Sequence, residues 1–585
     1  MAFNGSNLTA RCAGKTPVIL NARRRGIALF LTLLCVAISC SSTPPAEVAE
    51  MQSPRPMQYF TPPPDASEPA HPVQGVLELL PEMASGGIEV LKDSFGISSD
   101  PRWKLAEFPP FRYRFTSSGQ AIIPELQTPQ RTTHPYWEII LSPGRAWQDP
   151  AHGDWSRAAL PFALKEKNQN CTHNGVMKFA WHESGKISQV EWQVSSETCL
   201  YLKVNLWGTI AASYEPGPLE DAEELAVAHS AWRAARMPTQ PLHQLETRYP
   251  QIDLSSMAPS EPEDTSVWGF VTDGIHYRSN CATRHGPYPF CDELALPSYS
   301  LAKSIFAGLY YLHLSHEWPG FAGMSVSRLV PECRLPDGRW DDVTMSHLVN
   351  MTTGNYDDDD FGKDEDAAKM QGFFLAESHE DKVRFSCEAW PRKSAPGTRA
   401  VYHTTDTYLL GTAMNAFIRQ LDGPGADIHR DYLYPKLLAP LGLSPLMQWT
   451  QRTYDTAAQP FTAYGMEMLS SDVARIADSL QGSYRQQNLF DPVGLEQALF
   501  RDTGDILHLP AGRGEAYRNG FWGSDKSANI GCPNETWVPF MSGYGGIIVA
   551  LMPNGTVYYY FSDSGVHEFT NALLESNKIR NMCKE

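Results

Sequence analysis

The sequence predicts an α+β protein, in which an antiparallel sheet flanked by helices is preceded by a smaller, mostly β N-terminal domain. In the first half of the chain, apolar and polar residues alternate over 190–194 and 200–206, which is typical of half-buried strands. In the second half, apolar strands are predicted at 267–271, 547–552 and 557–561, with helical patterns between them. Because these strands lie at both ends of the second half, we expect one central sheet to join them.

Length and charge narrow the possible functions. With 585 residues, the chain is long enough for two or three domains and a large hydrophobic core. Its formal net charge of −18 argues against nucleic acid as a partner, because a phosphate backbone is bound by a basic surface. The overall composition is that of an ordinary globular protein and indicates no function by itself.

The N-terminus has the features of an export signal. Arg23–Arg25 precede an apolar run over 26–38 that is too short to span a membrane comfortably, which is typical of a secretory signal. The segment 36–40 resembles a bacterial lipobox, in which Cys40 is acylated and becomes the new N-terminus, although Ala37 stands where leucine is usual. The alternatives are a plain signal peptide cut nearby and an uncleaved anchor. We expect an exported protein of the periplasm or cell envelope, held at the membrane only by lipid on Cys40.

Composition divides the chain into four segments. Residues 1–40 form the predicted signal, and residues 41–75 are rich in Pro and Ser, which predicts a flexible tether. Residues 76–245 form the mostly β accessory domain, and an amphipathic helix is predicted near its end at 219–236. Residues 246–585 form the second domain. We expect the catalytic residues there, because the accessory domain contains no recognisable catalytic constellation.

The accessory domain contains a predicted hairpin with its turn at 195–198. Trp181, His182 and Trp192 could line a binding groove in this domain. Aromatic residues in a β domain more often form the core, and this is the interpretation we favour.

The cysteine content supports export. Cys12, Cys35 and Cys40 lie in the predicted signal, so eight of the eleven cysteines remain, and an even number in an oxidising compartment predicts disulfides. Many connectivities are possible, and we predict that sequence neighbours pair. The predicted pairs are Cys171 with Cys199, Cys281 with Cys291, Cys333 with Cys387, and Cys532 with Cys583. No Cys-x-x-Cys motif occurs, so no structural zinc site is predicted.

A serine and a lysine open a predicted helix in the second domain. Pro297 and Ser298 provide a turn, and the apolar residues from Leu301 onwards recur on one helical face. Ser300 then lies at the first turn, where free backbone N–H groups and the positive end of the helix dipole favour developing negative charge. Lys303 projects on the same side and, when desolvated, can act as a base for the serine. The pair alone is weak, because such spacings also occur by chance on surface helices.

Five further motifs follow the Ser300–Lys303 pair. They are Val343-Thr344-Met-Ser-His-Leu-Val-Asn-Met-Thr-Thr-Gly354, Pro396-Gly-Thr-Arg-Ala-Val-Tyr402, Tyr408-Leu-Leu-Gly411, Gly465-Met-Glu-Met-Leu-Ser-Ser-Asp-Val-Ala-Arg475 and Gly543-Tyr-Gly-Gly546. With these motifs in this order, residues 265–585 resemble the serine β-lactamase and penicillin-binding-protein superfamily. Within it they are most similar to the class C-related esterases and the six-aminohexanoate-dimer hydrolases. The resemblance implies a β-lactamase-like fold for this part of the chain.

The resemblance also implies a role for each matching residue. Ser300 would attack a carbonyl carbon and form an acyl-enzyme, while Lys303 takes its proton or supports a second base. Tyr402 would be that second base and later the acid for the leaving group, because a buried ammonium beside a phenol favours the phenolate. The backbone N–H groups of Ser300 and Tyr544 would hold the oxyanion, with Gly545 in the same substrate-binding run. The implied partner is a small-molecule or peptide-like acyl substrate, and no cofactor or metal is implied.

Two departures from the family pattern bear on the substrate. Thr404 stands where the family often has asparagine, and its hydroxyl can accept a hydrogen bond from Lys303 but has no amide NH₂ to donate to a substrate. Gly543–Gly545 supplies no cation where β-lactamases and transpeptidases usually place Lys-Thr-Gly or His-x-Gly. We therefore expect hydrolysis of an ester or amide other than a β-lactam. The alternatives are a β-lactamase, a D-alanyl-D-alanine carboxypeptidase-type penicillin-binding protein, and a catalytically inactive surface or scaffold protein of the same fold.

Other kinds of site fit the sequence less well. No Gly-x-Ser-x-Gly motif of the α/β-hydrolase kind is present. His316-Glu317 does not open a zinc-binding His-Glu-x-x-His helix, because Pro319 interrupts any helix there. The acidic run 357–360 could bind calcium or a cationic group of a substrate, although such runs more often form a solvated loop.

Overall fold

The computed structural model describes residues 51–149, 151, 154–504, 507 and 514–583. The predicted signal, the lipobox-like segment ending at Cys40 and the start of the tether therefore lie outside the described residues. The described residues belong to one compact unit. Within these ranges, every helix is too short or too polar to cross a lipid bilayer.

The first half of the described chain forms an antiparallel sheet that closes on itself. Its strands are β1 (Gly75–Asp93), β2 (Arg112–Ser118), β3 (Ala121–Pro124), β4 (Trp137–Leu141), β5 (Gly144–Gln148), β6 (Ser156–Glu166), β7 (Thr172–Trp181), β8 (Val190–Thr198) and β9 (Leu202–Pro216). They pair in the order β4-β6-β5-β3-β2-β1-β9-β8-β7, and a further pairing of β6 with β7 closes the sheet. Trp181 and Trp192 are buried in its hydrophobic core, whereas His182 is half-buried and bonds to Ser184. The two tryptophans therefore belong to the core, as favoured above.

The connection between β8 and β9 lies a few residues later than predicted. We expect a turn at 195–198, but these residues continue β8, and the chain reverses at 199–201. Glu197 is buried because it faces the second half of the chain, where Arg284 donates to both of its carboxylate oxygens at 2.6 and 2.8 Å. The polar residues here therefore form a buried contact and not a solvent-exposed turn.

Residues 51–60 are packed, although the Pro/Ser-rich composition of 41–75 predicts a flexible tether. Met57 and Phe60 are buried in the main hydrophobic core. The backbone N–H of Met57 donates to the carbonyl of His285 over 2.8 Å. Apolar side chains between the prolines therefore anchor this segment, and the tether prediction is wrong for these residues.

A second sheet joins both ends of the remaining chain, as predicted. Its strands are β10 (Thr239–Pro241), β11 (Thr265–Thr272), β12 (Ile275–Arg278), β15 (Glu515–Arg518), β16 (Phe521–Asp525), β17 (Trp537–Gly543), β18 (Ile547–Leu551) and β19 (Val557–Ser562), and the short strands β13 (Leu296–Pro297) and β14 (Glu467–Met468) pair separately. The order is β10-β12-β11-β19-β18-β17-β16-β15, antiparallel except for β10 with β12. The pairing of β11 with β19 brings residues 265–271 beside residues 557–562.

Helices cover both faces of this second sheet. The α-helices are α1 (Ala222–Ala235), α2 (His243–Arg248), α3 (Leu254–Met257), α4 (Leu309–Glu317), α5 (Val326–Leu329), α6 (Met345–Val349), α7 (Gln371–Leu375), α8 (His379–Glu388), α9 (Thr404–Asp422), α10 (Ser470–Gln481), α11 (Ser483–Gln486), α12 (Pro492–Ala498), α13 (Ser527–Ile530) and α14 (Thr570–Ile579). Ile547 and Val549 of β18 pack in one core, with the helix after Ser300, and Ile548 and Ala550 pack in another, with α14. Burial on both faces explains why this strand is almost continuously apolar, and the whole is the predicted α+β fold.

Four disulfides join the cysteine pairs that the sequence predicts. They are Cys171–Cys199, Cys281–Cys291, Cys333–Cys387 and Cys532–Cys583. The first connects the start of β7 to the turn between β8 and β9, so it fixes one end of the closed sheet.

Candidate active site

Ser300 lies between β13 and the helix that begins at Leu301. The turn before it is fixed at Ser298, whose N–H donates to the carbonyl of Met466 over 2.9 Å and whose Oγ accepts from the Met466 N–H over 3.1 Å. Tyr299 has a φ of 41°, in the left-handed region that residues with side chains rarely adopt. Such a backbone conformation persists only where the surroundings hold it, and it is common at reactive sites.

The helix that carries Lys303 contains a π-helical segment. The sequence predicts a plain α-helix here, but Lys303–Gly308 forms a π-helix before α4 begins. Every residue of this segment is buried. Wider π turns often occur at functional sites, where they change the direction of a side chain.

Lys303 is the centre of the hydrogen bonding around Ser300. Its Nζ lies 3.0 Å from Ser300 Oγ, 2.9 Å from Thr404 Oγ1 and 3.1 Å from the Ala463 carbonyl oxygen. These contacts use the three donor positions of an ammonium group. The structure therefore brings the predicted serine and lysine into direct contact, together with Thr404.

The environment of Lys303 favours loss of its proton. Burial lowers the pKa of Lys303 to about 8, and the negative charge of Glu365 offsets part of that effect. A lysine with such a pKa has a neutral fraction near pH 7 and can accept a proton from a serine.

Tyr402 is the third predicted catalytic residue, after Ser300 and Lys303. Lys303 Nζ lies 5.0 Å from the centroid of the Tyr402 ring, and that ring stacks on Trp522 with the ring centroids 5.7 Å apart. Burial raises the pKa of Tyr402 well above its ordinary value, and the nearby Tyr517 and Glu365 raise it further. The neighbouring ammonium leads us to expect a phenolate, but the neutral phenol is the favoured form. The reason is that burial disfavours the charged forms of both Tyr402 and Lys303. Tyr402 is a neutral proton donor in this structure.

Glu365 belongs to the site but was not identified from the sequence. Thr404 Oγ1 accepts from Lys303 and donates to Glu365 Oε1, and the Thr404 N–H donates to Glu365 Oε2 over 2.8 Å. One signal of this residue was present in the sequence. Thr404 stands where the family often has asparagine, and its hydroxyl hydrogen needs an acceptor when the side chain is buried. Glu365 is that acceptor.

His403, between Tyr402 and Thr404 in the sequence, helps to hold this segment in place. It is buried, its Nε2 lies 3.0 Å from Asp364, and its ring stacks on Trp390 with the centroids 4.4 Å apart. Burial alone lowers the pKa of His403, but the hydrogen bond to Asp364 and the carboxylate of Asp406, 3.7 Å from Nδ1, raise it to about 9. A charged imidazolium thus connects the loop before Glu365 to the start of α9.

The predicted glycine run lies beside the nucleophile turn. Gly543–Gly546 links β17 to β18, and a Cβ added at Gly543 would be 3.0 Å from the Ser298 carbonyl oxygen. The rings of Tyr544 and Tyr299 have centroids 5.8 Å apart, and Tyr544 is 48% exposed. Gly545 has a φ of 95°, which lets the chain reverse here. Tyr544 and Gly545 therefore lie next to the turn that carries Ser300.

Three of the four aspartates in the acidic run 357–360 form ion pairs with neighbouring cations. The ion pairs are Lys369–Asp357, Lys363–Asp358 and Arg399–Asp359. Asp366 comes later in the same loop and is exposed. Burial raises the pKa of Tyr544, and the negative charge of Asp366 raises it further. Asp366 therefore contributes negative charge near the glycine run.

One family model matches part of the second half of this chain. Residues 297–558 match the family model described as Beta-lactamase. No curated protein matches the chain. The matched residues run from the turn before Ser300 into β19, and they include Lys303, Tyr402 and Tyr544.

Many solved structures are similar to this chain, and three of them serve as examples. A candidate 6-aminohexanoate-dimer hydrolase from Bacillus anthracis is 16% identical, with 59% of this chain and 86% of that chain covered and a TM-score of 0.40. EstCE1, a hydrolase with promiscuous acyltransferase activity, is 14% identical, with 60% and 98% covered and a TM-score of 0.41. A class C β-lactamase is 16% identical, with 62% and 97% covered and a TM-score of 0.38.

Proposed function

We propose that this protein is an exported serine hydrolase, because residues 297–558 match the family model described as Beta-lactamase. It cleaves an ester or amide through an acyl-Ser300 intermediate. The predicted N-terminal signal supports export, and so do the four disulfides, since such bonds persist in oxidising compartments.

One observation carries the proposal. Lys303 Nζ lies 3.0 Å from Ser300 Oγ, and burial lowers the pKa of this lysine to about 8. A serine hydroxyl is a weak nucleophile unless a neighbouring base takes its proton as it attacks. Lys303 is within reach of that proton and is partly neutral near pH 7, so it meets both requirements of a general base.

The proposed reaction has two halves. Ser300 Oγ bonds to the substrate carbonyl carbon while its proton passes to Lys303, and the backbone N–H groups of Ser300 and Tyr544 hold the oxyanion. The tetrahedral adduct collapses, the bond to the leaving group breaks, and the Tyr402 hydroxyl gives that group a proton. The protonated Lys303 then gives the proton that it took from Ser300 to the Tyr402 oxygen, so that both groups return to their starting forms. A water molecule then attacks the acyl-enzyme by the reverse proton route and releases the acid.

Charge near the site bears on the substrate class. The residues Gly543–Gly545 supply no cation to hold a substrate carboxylate, and the acidic Asp366 acts on Tyr544. We therefore propose an uncharged or cationic acyl substrate, with carboxylate-bearing β-lactams and peptidoglycan stems as poor ones. The aromatic rings of Tyr402, Tyr517 and Trp522, which pack against one another, favour an apolar group on the substrate.

A fluorophosphonate probe tests the proposal, because it labels an activated serine covalently. The wild-type chain should be labelled near pH 8, and Ser300→Ala should not. A wild-type protein that no probe labels under any condition would instead be a scaffold of the same fold. Turnover of neutral, ammonium-bearing and carboxylate-bearing chromogenic esters and amides, with nitrocefin beside them, then tests the substrate class. Nitrocefin as the best of these substrates would favour a β-lactamase.

A further inference from the structure

We propose that Asn170, in the N-terminal half of the chain, positions the nucleophile and its base for acylation. The inference rests on the proposed function. It assigns the closed N-terminal sheet a role in positioning the catalytic residues. Asn170 lies between β6 and β7, far from the serine in sequence, and its side chain is buried. It touches neither the substrate nor the reacting atoms, so it is a positioning residue.

The amide oxygen of Asn170 holds the residue before the nucleophile. Asn170 Oδ1 accepts from the Tyr299 N–H over 2.7 Å, and the Ser298 hydroxyl donates to the same oxygen over 3.3 Å. Tyr299 is the residue with the left-handed φ of 41°. Because that backbone conformation is unfavourable for tyrosine, the bond to its N–H helps to keep Ser300 in its observed orientation.

The same oxygen also holds the loop that binds the base. Asn170 Oδ1 accepts from the Gly465 N–H over 2.9 Å. Two residues earlier in that loop, the Ala463 carbonyl accepts from Lys303 Nζ over 3.1 Å. One buried oxygen atom therefore joins the turn that carries Ser300 to the loop that fixes Lys303.

The orientation of the Asn170 amide is itself fixed. Its Nδ2 donates to Glu467 Oε1 over 3.0 Å, and the Thr172 hydroxyl donates to the same carboxyl oxygen over 3.1 Å. Because Nδ2 faces an acceptor, Oδ1 has to face the backbone donors of Tyr299 and Gly465. The amide cannot turn over without losing bonds on both sides.

The disulfide next to Asn170 extends the contact to the glycine run. Cys171 is bonded to Cys199, and Leu200 follows in the turn between β8 and β9. A Cβ added at Gly545 would lie 3.5 Å from Leu200 Cβ, so this turn touches the run that contains Tyr544. The N-terminal half therefore contacts both the nucleophile turn and the proposed oxyanion run from one cross-linked end of its sheet.

The experiment compares three variants of the full chain: Asn170→Ala, Asn170→Asp and Asn174→Ala. Asn174 is the matched control, because its buried amide makes the same kind of paired bonds, but to the N–H and carbonyl of Ala295 and not to Tyr299 and Gly465. The measurements are the rate constant of fluorophosphonate labelling, the separate effects on kcat and KM with one chromogenic ester, and the midpoint of thermal unfolding. Labelling reports the nucleophilic attack of Ser300, which a purely structural interface contact would not affect selectively.

Asn170→Ala should lower the labelling rate and kcat roughly 10- to 100-fold with little change in KM, as small displacements of reacting groups do. Asn174→Ala should lower the unfolding midpoint to a similar extent and keep most of the labelling rate. Asn170→Asp should retain more of the rate than Asn170→Ala, because its carboxylate still accepts from Tyr299 and Gly465. Burial raises the pKa of the neighbouring Glu467 to about 8, so that side chain can donate to the new carboxylate.

The proposal is overturned when Asn170→Ala is labelled as fast as the wild type, or when Asn174→Ala loses labelling to the same extent. Should Asn170→Ala show no cooperative unfolding, Asn170→Ser is judged on the same criteria. Failure of the proposed function is separate, since a wild-type chain that is never labelled refutes the acyl-serine mechanism itself. A labelled wild type with unaffected Asn170 variants refutes only the positioning role.

Discussion

The hydroxyl oxygen of Thr404 accepts a hydrogen bond from Lys303 Nζ over 2.9 Å and donates its own hydrogen to Glu365 Oε1. A hydroxyl has one hydrogen to give, so this side chain can accept from the lysine while it donates to a carboxylate. The charge of Glu365 also favours the protonated lysine. Groups from three separate parts of the chain therefore determine the protonation state of the proposed base.

The rate of acylation should depend on pH through Lys303. The base must be neutral, and burial lowers the pKa of this lysine to about 8. The fluorophosphonate labelling rate should therefore rise with pH and level off above about pH 8. A rate that is flat between pH 6 and 9 would contradict Lys303 as the base.

Replacement of Glu365 by glutamine should move this pH dependence. The carboxylate raises the pKa of Lys303, so its removal lowers that pKa further and shifts the rise in rate to lower pH. The measurement is the pH profile of kcat/KM. Asp366→Asn is the matched control, because it removes an exposed charge in the same loop without a bond to Thr404, and its profile should follow the wild type. A Glu365→Gln profile shifted to higher pH would contradict this assignment.

Tyr402→Phe should lower turnover by roughly 100- to 10,000-fold, the usual contribution of a general acid. The loss should be largest for amides and alkyl esters, whose leaving groups need a proton, and smaller for nitrophenyl esters. Tyr517→Phe is the control, because that hydroxyl is buried in the same aromatic cluster and has no hydrogen-bond partner among the described residues. Equal losses for all leaving groups would argue against Tyr402 as the acid.

The His403 imidazolium should make the free energy of unfolding depend on pH. Its folded pKa of about 9 lies above the ordinary value of 6.5, so the stabilisation is fully present below pH 6.5 and is lost as pH rises through 9. His403→Gln should therefore destabilise the fold more at pH 6 than at pH 9.5, by up to about 3 kcal/mol. Urea unfolding at both values measures this difference. The exposed His243→Gln serves as the control, and an equal effect of His403→Gln at both pH values would refute the prediction.

Local patterns in the sequence were enough to predict the fold class and part of the site. The strands at 267–271, 547–552 and 557–561 follow from the periodicity of apolar residues, which depends on near neighbours. Ser300 and Lys303 are three residues apart, so helix geometry alone brings them to one side. Tyr402 was found through its motif, since nothing in its immediate surroundings distinguishes it from other buried tyrosines.

Contacts between distant segments could not be predicted in this way. Glu365 and Asn170 act on partners between 39 and 295 residues away, through hydrogen bonds that exist only after the chain has packed. The expected turn at 195–198 failed for the same reason. Its polar residues looked solvent-exposed, but Glu197 is buried against Arg284 from the other half of the chain. A polar side chain in the sequence does not reveal whether its partner is water or protein.

The pairing of Arg284 with Glu197 has a practical consequence for anyone who produces this protein. A shorter gene product that starts at residue 246 would keep Ser300, Lys303 and Tyr402, yet it would strip the carboxylate from Arg284 and the amide oxygen from the Tyr299 N–H. Directed evolution or crystallisation of the hydrolase part alone would therefore begin from a damaged template. Expression plasmids should encode both sheets in one polypeptide, with any purification tag placed upstream of residue 51.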